Sequence, residues 1–96
     1  MNTYKVQVIV HVNNKSKYYD VYIKGSNIYD VRLDAINFVK KYLDKLGYSE
    51  EEINKSDVGL GAQRPGLWED SVHKPNSIYD GDWYGHDELL YKGGDE

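Results

Sequence analysis

The feature that most constrains the fold is an alternation near the start of the chain. Tyr4, Val6, Val8, Val10 and Val12 alternate with Lys5, Gln7, Ile9 and His11. A period of two in β-branched and aromatic residues places one set on a buried face and the other toward solvent, which is the pattern of a half-buried strand. After "NNKS" a second alternation follows, with Tyr19, Val21 and Ile23 set against Asp20, Tyr22 and Lys24. Two such runs joined through Asn13 to Ser16 predict an antiparallel hairpin.

The hairpin needs a partner for its apolar face, and the next segment supplies one. Ile28, Val31, Ala35, Phe38, Tyr42 and Leu46 recur at spacings of three and four, flanked by Ile36, Val39 and Leu43. This predicts a helix over about Ile28 to Leu46 with a stripe wide enough to cover a sheet. Ser26 or Asn27 can accept from the first free amides, and Gly47 can take a left-handed cap. Asp30 and Asp34 sit early and Lys40, Lys41 and Lys45 late, as the helix dipole favours. Ser49 and Glu52 then form a capping-box pattern for a short second helix, with Tyr48 and Ile53 placed as a staple. The expected core is Val6, Val8, Val10, Val21, Ile23, Val31, Ala35, Phe38, Val39 and Leu43.

Beyond Ser56 the periodicity weakens. "DVGLGA" reads as a short strand, and "QRPGLWEDSVHKPN", with both prolines, reads as a loop anchored by Trp68. Ile78, Tyr79, Trp83 and Tyr84 bracket "DGD", where Asp80-Gly81 favours the positive backbone angles of a tight turn. The expected fold class is α+β: an N-terminal hairpin, extended by later strands, packed against one main helix. At 96 residues the chain fits one domain, residues 1–96, with 77–96 as an acidic, aromatic C-terminal segment.

Composition excludes some chemistry. The chain has no cysteine, which rules out a thiolate nucleophile, a disulfide framework and a Cys-ligated zinc, and fits a reducing cytoplasm. The apolar N-terminus alternates with polar residues and is followed by no small-residue cleavage site, so no signal peptide is read. No run reaches the ~18 apolar residues of a membrane span. Charge is segregated: through Ile78 there are eleven Lys/Arg against ten Asp/Glu, and from Tyr79 on one lysine against six carboxylates. Without a basic stripe, direct nucleic-acid binding is disfavoured.

Three chemistries compete for the C-terminal segment. Asp80, Asp82, Gly85 and Glu88 stand at relative positions 1, 3, 6 and 9 of a calcium loop, yet Tyr84 and Tyr91 occupy positions that such a loop gives to oxygen ligands. No metal or other cofactor is therefore expected. His86 with Asp87 or Asp82 offers a general acid/base pair, and Ser71 with His73 a nucleophile and base, but neither lies in a recognisable catalytic pattern. A small metal-binding or catalytic domain centred on Asp80 to Glu88 is thus an alternative. "GLGAQRPG" lacks the order of a phosphate loop. Arg64 and Lys74 flank Trp68, a combination that stacks on and pairs with nucleic acid, which gives a second alternative.

The reading that uses most of the sequence is protein recognition without catalysis. Tyr79, Trp83, Tyr84 and Tyr91 are interface residue types, and Asp80, Asp82, Asp87 and Glu88 interleave with them at a density suited to a basic partner surface. A homodimer through the edge of the first strand is left open by the pattern. The "YKVQVIVHVNNKSKYYDVYIKG" hairpin, the "NIYDVRLDAINFVKKYLDKLG" helix and the acidic aromatic end together resemble, across the whole chain, small acidic proteins of bacteriophages and other mobile elements, including anti-CRISPR inhibitors of host defence. That resemblance implies a phage-type inhibitor in the host-cell cytoplasm. Its carboxylates from Asp80 to Glu88 would occupy a basic, nucleic-acid-binding groove of a host defence protein.

Overall fold

A computed structural model describes residues 2–68, 73–81 and 89–93. Strand β1 (Asn2–Val12) and strand β2 (Lys15–Gly25) form an antiparallel hairpin in which eleven residues pair on each side. The connection is shorter than the sequence reading. Asn13 and Asn14 both have positive φ, 51° and 63°, the angles of a two-residue turn that matches strand twist. Lys15 and Ser16 therefore belong to β2 and not to the loop. Asparagine tolerates this region because its short polar side chain bonds locally.

Helix α1 (Ile28–Lys45) starts on Asn27, whose side chain accepts from the amides of Tyr29 and Asp30. It ends one residue short of the expected Leu46. Gly47 takes φ 102°, and the Gly47 and Tyr48 amides donate to the Asp44 and Leu43 carbonyls. Those two bonds satisfy carbonyls that the helix end leaves free. Helix α2 (Glu50–Lys55) has the full capping box between Ser49 and Glu52. Glu52 also accepts from the Asn13 side chain at 2.8 Å, which ties the hairpin turn to α2.

Four further strands complete one six-stranded antiparallel sheet: β3 (Asp57–Leu60), β4 (Gly66–Leu67), β5 (Ser77–Asp80) and β6 (Leu89–Lys92). The order is β3-β1-β2-β5-β6, with β4 also on β1. β3 pairs with Val8 to His11 and β4 with Tyr4 and Lys5. Between them the Gly61 amide donates to the Gln7 carbonyl, and beyond β4 the Trp68 amide donates to Thr3. The outer edge of β1 is thus occupied by the chain itself, so the first strand offers no edge for a homodimer.

α1 covers one face of the sheet. Val31, Ala35, Val39, Tyr42 and Leu43 bury against Tyr4, Val6, Val8, Val10, Val12, Tyr19, Val21, Ile23 and Ile78. Each fully buried aliphatic side chain contributes roughly 1.5–3 kcal/mol. Every expected core residue is buried except Phe38, which is only half-buried at the rim of the cluster against Tyr91. The helix turns Val39 inward, and Phe38 lies to its side. Tyr48 and Ile53 pack against the same core. No helix among the described residues is long and apolar enough to cross a membrane.

Candidate functional site

Residues paired across antiparallel strands share a face, so the register fixes what stands on the side opposite α1. One row runs Lys5, Tyr22, Ser77 and Lys92, and the next runs Gln7, Asp20, Tyr79 and Leu89. The alternation predicts this face to be polar, yet Tyr22 is 1% exposed and Tyr79 5%. The chain around β4 folds back over them. His73 stacks on Tyr22 with ring centroids 4.4 Å apart, and Trp68 and Tyr79 both meet Tyr22 edge to face, at 6.4 and 5.3 Å. His73 also meets Tyr79 at 4.8 Å. Within the segment expected to be a proline-bounded loop, the described residues include a two-residue strand, β4, and place Trp68 and His73 against Tyr22 in a second, aromatic core.

One margin of that aromatic core is open. Trp68 remains 40% exposed, with the Lys5 ammonium 4.6 Å from the centre of its ring, inside the range of a cation–π contact. Lys5 also pairs with Asp20 at 3.9 Å. Lys5, Gln7, Gln63, Arg64, Leu67 and Trp68 line a cleft of about 230 Å³ here. The Gln63 amide donates to the Gln7 side-chain oxygen at 3.1 Å, which holds the cleft wall against β1. The structure thus brings Arg64 and Trp68 together and adds Lys5, whereas Lys74 is not among the residues lining the cleft. Lys5 was hidden in the sequence because it stands in the alternating strand, 59 positions before Arg64.

The α1 side holds a different constellation. Asp80 pairs with Lys17 at 3.8 Å and stands opposite Tyr19. Tyr19 meets Tyr42 edge to face at 5.5 Å, and Tyr91 packs against Phe38 and Tyr42 at 5.7 and 5.9 Å. Burial pushes the Tyr19 phenol up to about 12, reinforced by Tyr42, Tyr48 and the Asp80 charge. Tyr42 is raised by burial and by Asp80. Both phenols stay protonated at neutral pH, and the two rings serve as packing groups.

The predicted partner-binding residues are thereby divided. Tyr79 points to the face away from α1, while Asp80 and Tyr91 lie on the α1 face; Tyr79 and Tyr91 are framework residues of β5 and β6. Asp82, Trp83, Tyr84, Asp87 and Glu88 lie outside the described residues, as does His86. In the sequence these residues stand between β5 and β6, which pair antiparallel. Gly81 differs from its expected role: its φ is not positive, and its amide continues along β2 to the Tyr18 carbonyl at 3.1 Å. A Cβ there would come within 3.1 to 3.2 Å of the Tyr18–Asp20 backbone, so glycine serves the close approach of two backbone segments. Among the described residues no three His, Asp or Glu side chains cluster to hold a metal, and His11 is bonded to Ser16 at 2.6 Å. Set against known protein families, curated proteins and solved structures, the chain matches none.

Proposed function

We infer that the chain is a non-enzymatic binding protein that presents the acidic, aromatic connection between β5 and β6 to a basic protein surface. The observation that carries this reading is the rooting of that connection at both ends: Gly81 is hydrogen-bonded to β2, and Leu89 is paired with Tyr79. A segment whose two ends are both hydrogen-bonded into a sheet loses less freedom on binding than one anchored at a single end. Residues 82–88 carry three carboxylates and no Lys or Arg, and Tyr18 and Leu89, both well exposed, flank the root on the face away from α1. This arrangement suits capture of an Arg- or Lys-rich groove, and by its resemblance to small mobile-element proteins the fitting target is a nucleic-acid-binding protein of host defence.

The test is affinity capture from host lysate with mass spectrometry, comparing the parent with the Asp82→Asn, Asp87→Asn, Glu88→Gln variant. These substitutions keep side-chain shape and leave the sheet untouched, so an unchanged melting temperature controls for folding. Loss of a basic partner from the variant supports the reading. Retention of the same proteins by both refutes it.

A further inference from the structure

A second surface, separate from the β5–β6 connection, has the composition of a ligand site. In the cleft beside β1, three kinds of group converge: the half-exposed indole of Trp68, the cations of Lys5 and Arg64, and the amides of Gln7 and Gln63. No carboxylate among the described residues lines it. The groups are held in place by the fold. The Trp68 amide donates to the Thr3 carbonyl at 2.9 Å, its ring meets His73 and the buried Tyr22 edge to face, and the Lys5 ammonium stands over one side of it. Gln7 spends its side-chain oxygen on the Gln63 amide, which leaves its NH₂ as a donor. The two cations differ. Lys5 is shared with Asp20, whereas the exposed Arg64 has no ion pair among the described residues.

Each group answers to one part of a nucleotide. A planar indole stacks on a base without regard to sequence. A guanidinium matches the oxygens of a phosphate in two parallel hydrogen bonds. Side-chain amides bond to base edges or to sugar hydroxyls. The cleft volume of about 230 Å³ is below the ~300 Å³ lower bound for drug-sized pockets, which limits it to one such unit. We propose that this cleft binds a nucleotide unit, one base with its phosphate, taken either as a free nucleotide or as a link of a single strand. The net charge of −4 and a cleft whose cations among the described residues are Lys5 and Arg64 limit the electrostatic grip to one or two phosphates. Duplex is therefore not its ligand.

The measurement is fluorescence anisotropy of a labelled twelve-residue oligothymidylate, with unlabelled adenosine and uridine monophosphates as competitors, on the full chain. Trp68→Ala should weaken binding about tenfold or more, as loss of one base-stacking platform does, and Trp68→Phe should restore part of it. Arg64→Gln, on an exposed residue whose replacement leaves the fold intact, should weaken binding and flatten the logarithmic salt dependence by about 0.7. The parent slope should be no steeper than about −1.4, the value for two phosphates on a single strand. Competition at equal concentration of mononucleotide assigns the site to free nucleotide; competition only at large excess assigns it to single-stranded nucleic acid. Failure of both probes to bind at low salt overturns the proposal. So does binding that Arg64→Gln and Trp68→Ala leave unchanged.

Discussion

His73 lies nearly parallel on Tyr22, with ring centroids 4.4 Å apart and planes 12° apart. The stack joins a residue of the second strand to one more than fifty positions later, on the face of the sheet that α1 does not cover. Its energetic weight distinguishes two views of the core. If the aromatic cluster around Tyr22 is a second core, Tyr22→Ala should cost about 3–5 kcal/mol, as truncation of a fully buried ring does. Phe38→Ala, at the half-buried rim, should cost less, on the order of 1–2 kcal/mol. Urea titration of the two variants orders them, and a larger loss for Phe38 would show that the cluster contributes little.

The turn of the first hairpin gives a sharper local test. Asn14 sits at φ 63°, a region that costs an ordinary L-residue roughly 1–2 kcal/mol but asparagine less, because its side chain bonds locally. Asn14→Ala should lower the melting temperature by several degrees, given ~4–8 °C per kcal/mol in a domain of this size, while Asn14→Gly should hold or raise it. Equal melting of the three proteins would contradict the turn geometry.

Alkaline stability should follow Tyr19. Its phenol is raised in the folded protein to about 12, whereas in the unfolded chain it ionises near its ordinary value of about 10. Between those values the unfolded state has lost a proton that the folded state retains, so stability falls as pH rises. The urea midpoint should be level up to about pH 10 and decline from there toward pH 12. In Tyr19→Phe the Tyr19 part of that decline should vanish, and a slope identical to the parent's would remove Tyr19 as its source.

At the acid end the sign reverses. Glu52 is held below the usual carboxylate range by the Ser49 amide first and then by the Asn13 side chain. Its stabilising effect is present above the ordinary carboxylate pKa and is lost as pH falls through the lowered value. Glu52→Gln should therefore flatten part of the acid limb of the stability profile. An unaltered limb would mean that the bonds from Ser49 and Asn13 do not persist in solution.

Gly81 tests the root of the β5–β6 connection. The atoms a methyl group would meet are backbone atoms of Tyr18–Asp20, which cannot rotate away. Gly81→Ala should cost about 1–3 kcal/mol, the range for overpacking. If it melts as the parent does, the two strands are not in close register there.

The parts of this fold that were legible in sequence are those with a local cause. The alternation of β1, the three-four spacing of α1, the Asn27 and Gly47 ends and the Ser49–Glu52 box are short-range patterns, and each appears where its residues place it. Tyr22 was not legible, because an aromatic residue at a polar position of an alternating strand is read as facing water. Its burial depends on Trp68 and His73, which only the tertiary fold brings over it. The cleft was half legible: Arg64 and Trp68 are near neighbours in sequence, but Lys5 joins them through the pairing of β1 with β4. Half of the acidic segment lies outside the described residues, and of its expected partner-binding residues only Tyr79, Asp80 and Tyr91 are placed, on β5 and β6.

The order β3-β1-β2-β5-β6 places the longest and most local pairing at the centre and the shortest strands outside. Opening of the molecule should therefore proceed from its margins inward. Peripheral β6 can detach while the hairpin stays closed, whereas the hairpin can be released only with the whole domain. In deuterium exchange the amides in the middle of β1 and β2 should exchange only through global unfolding, and those of β6 through smaller, local openings. The protein would then combine a slowly exchanging spine with a margin able to adjust, and that margin is where the acidic connection is attached.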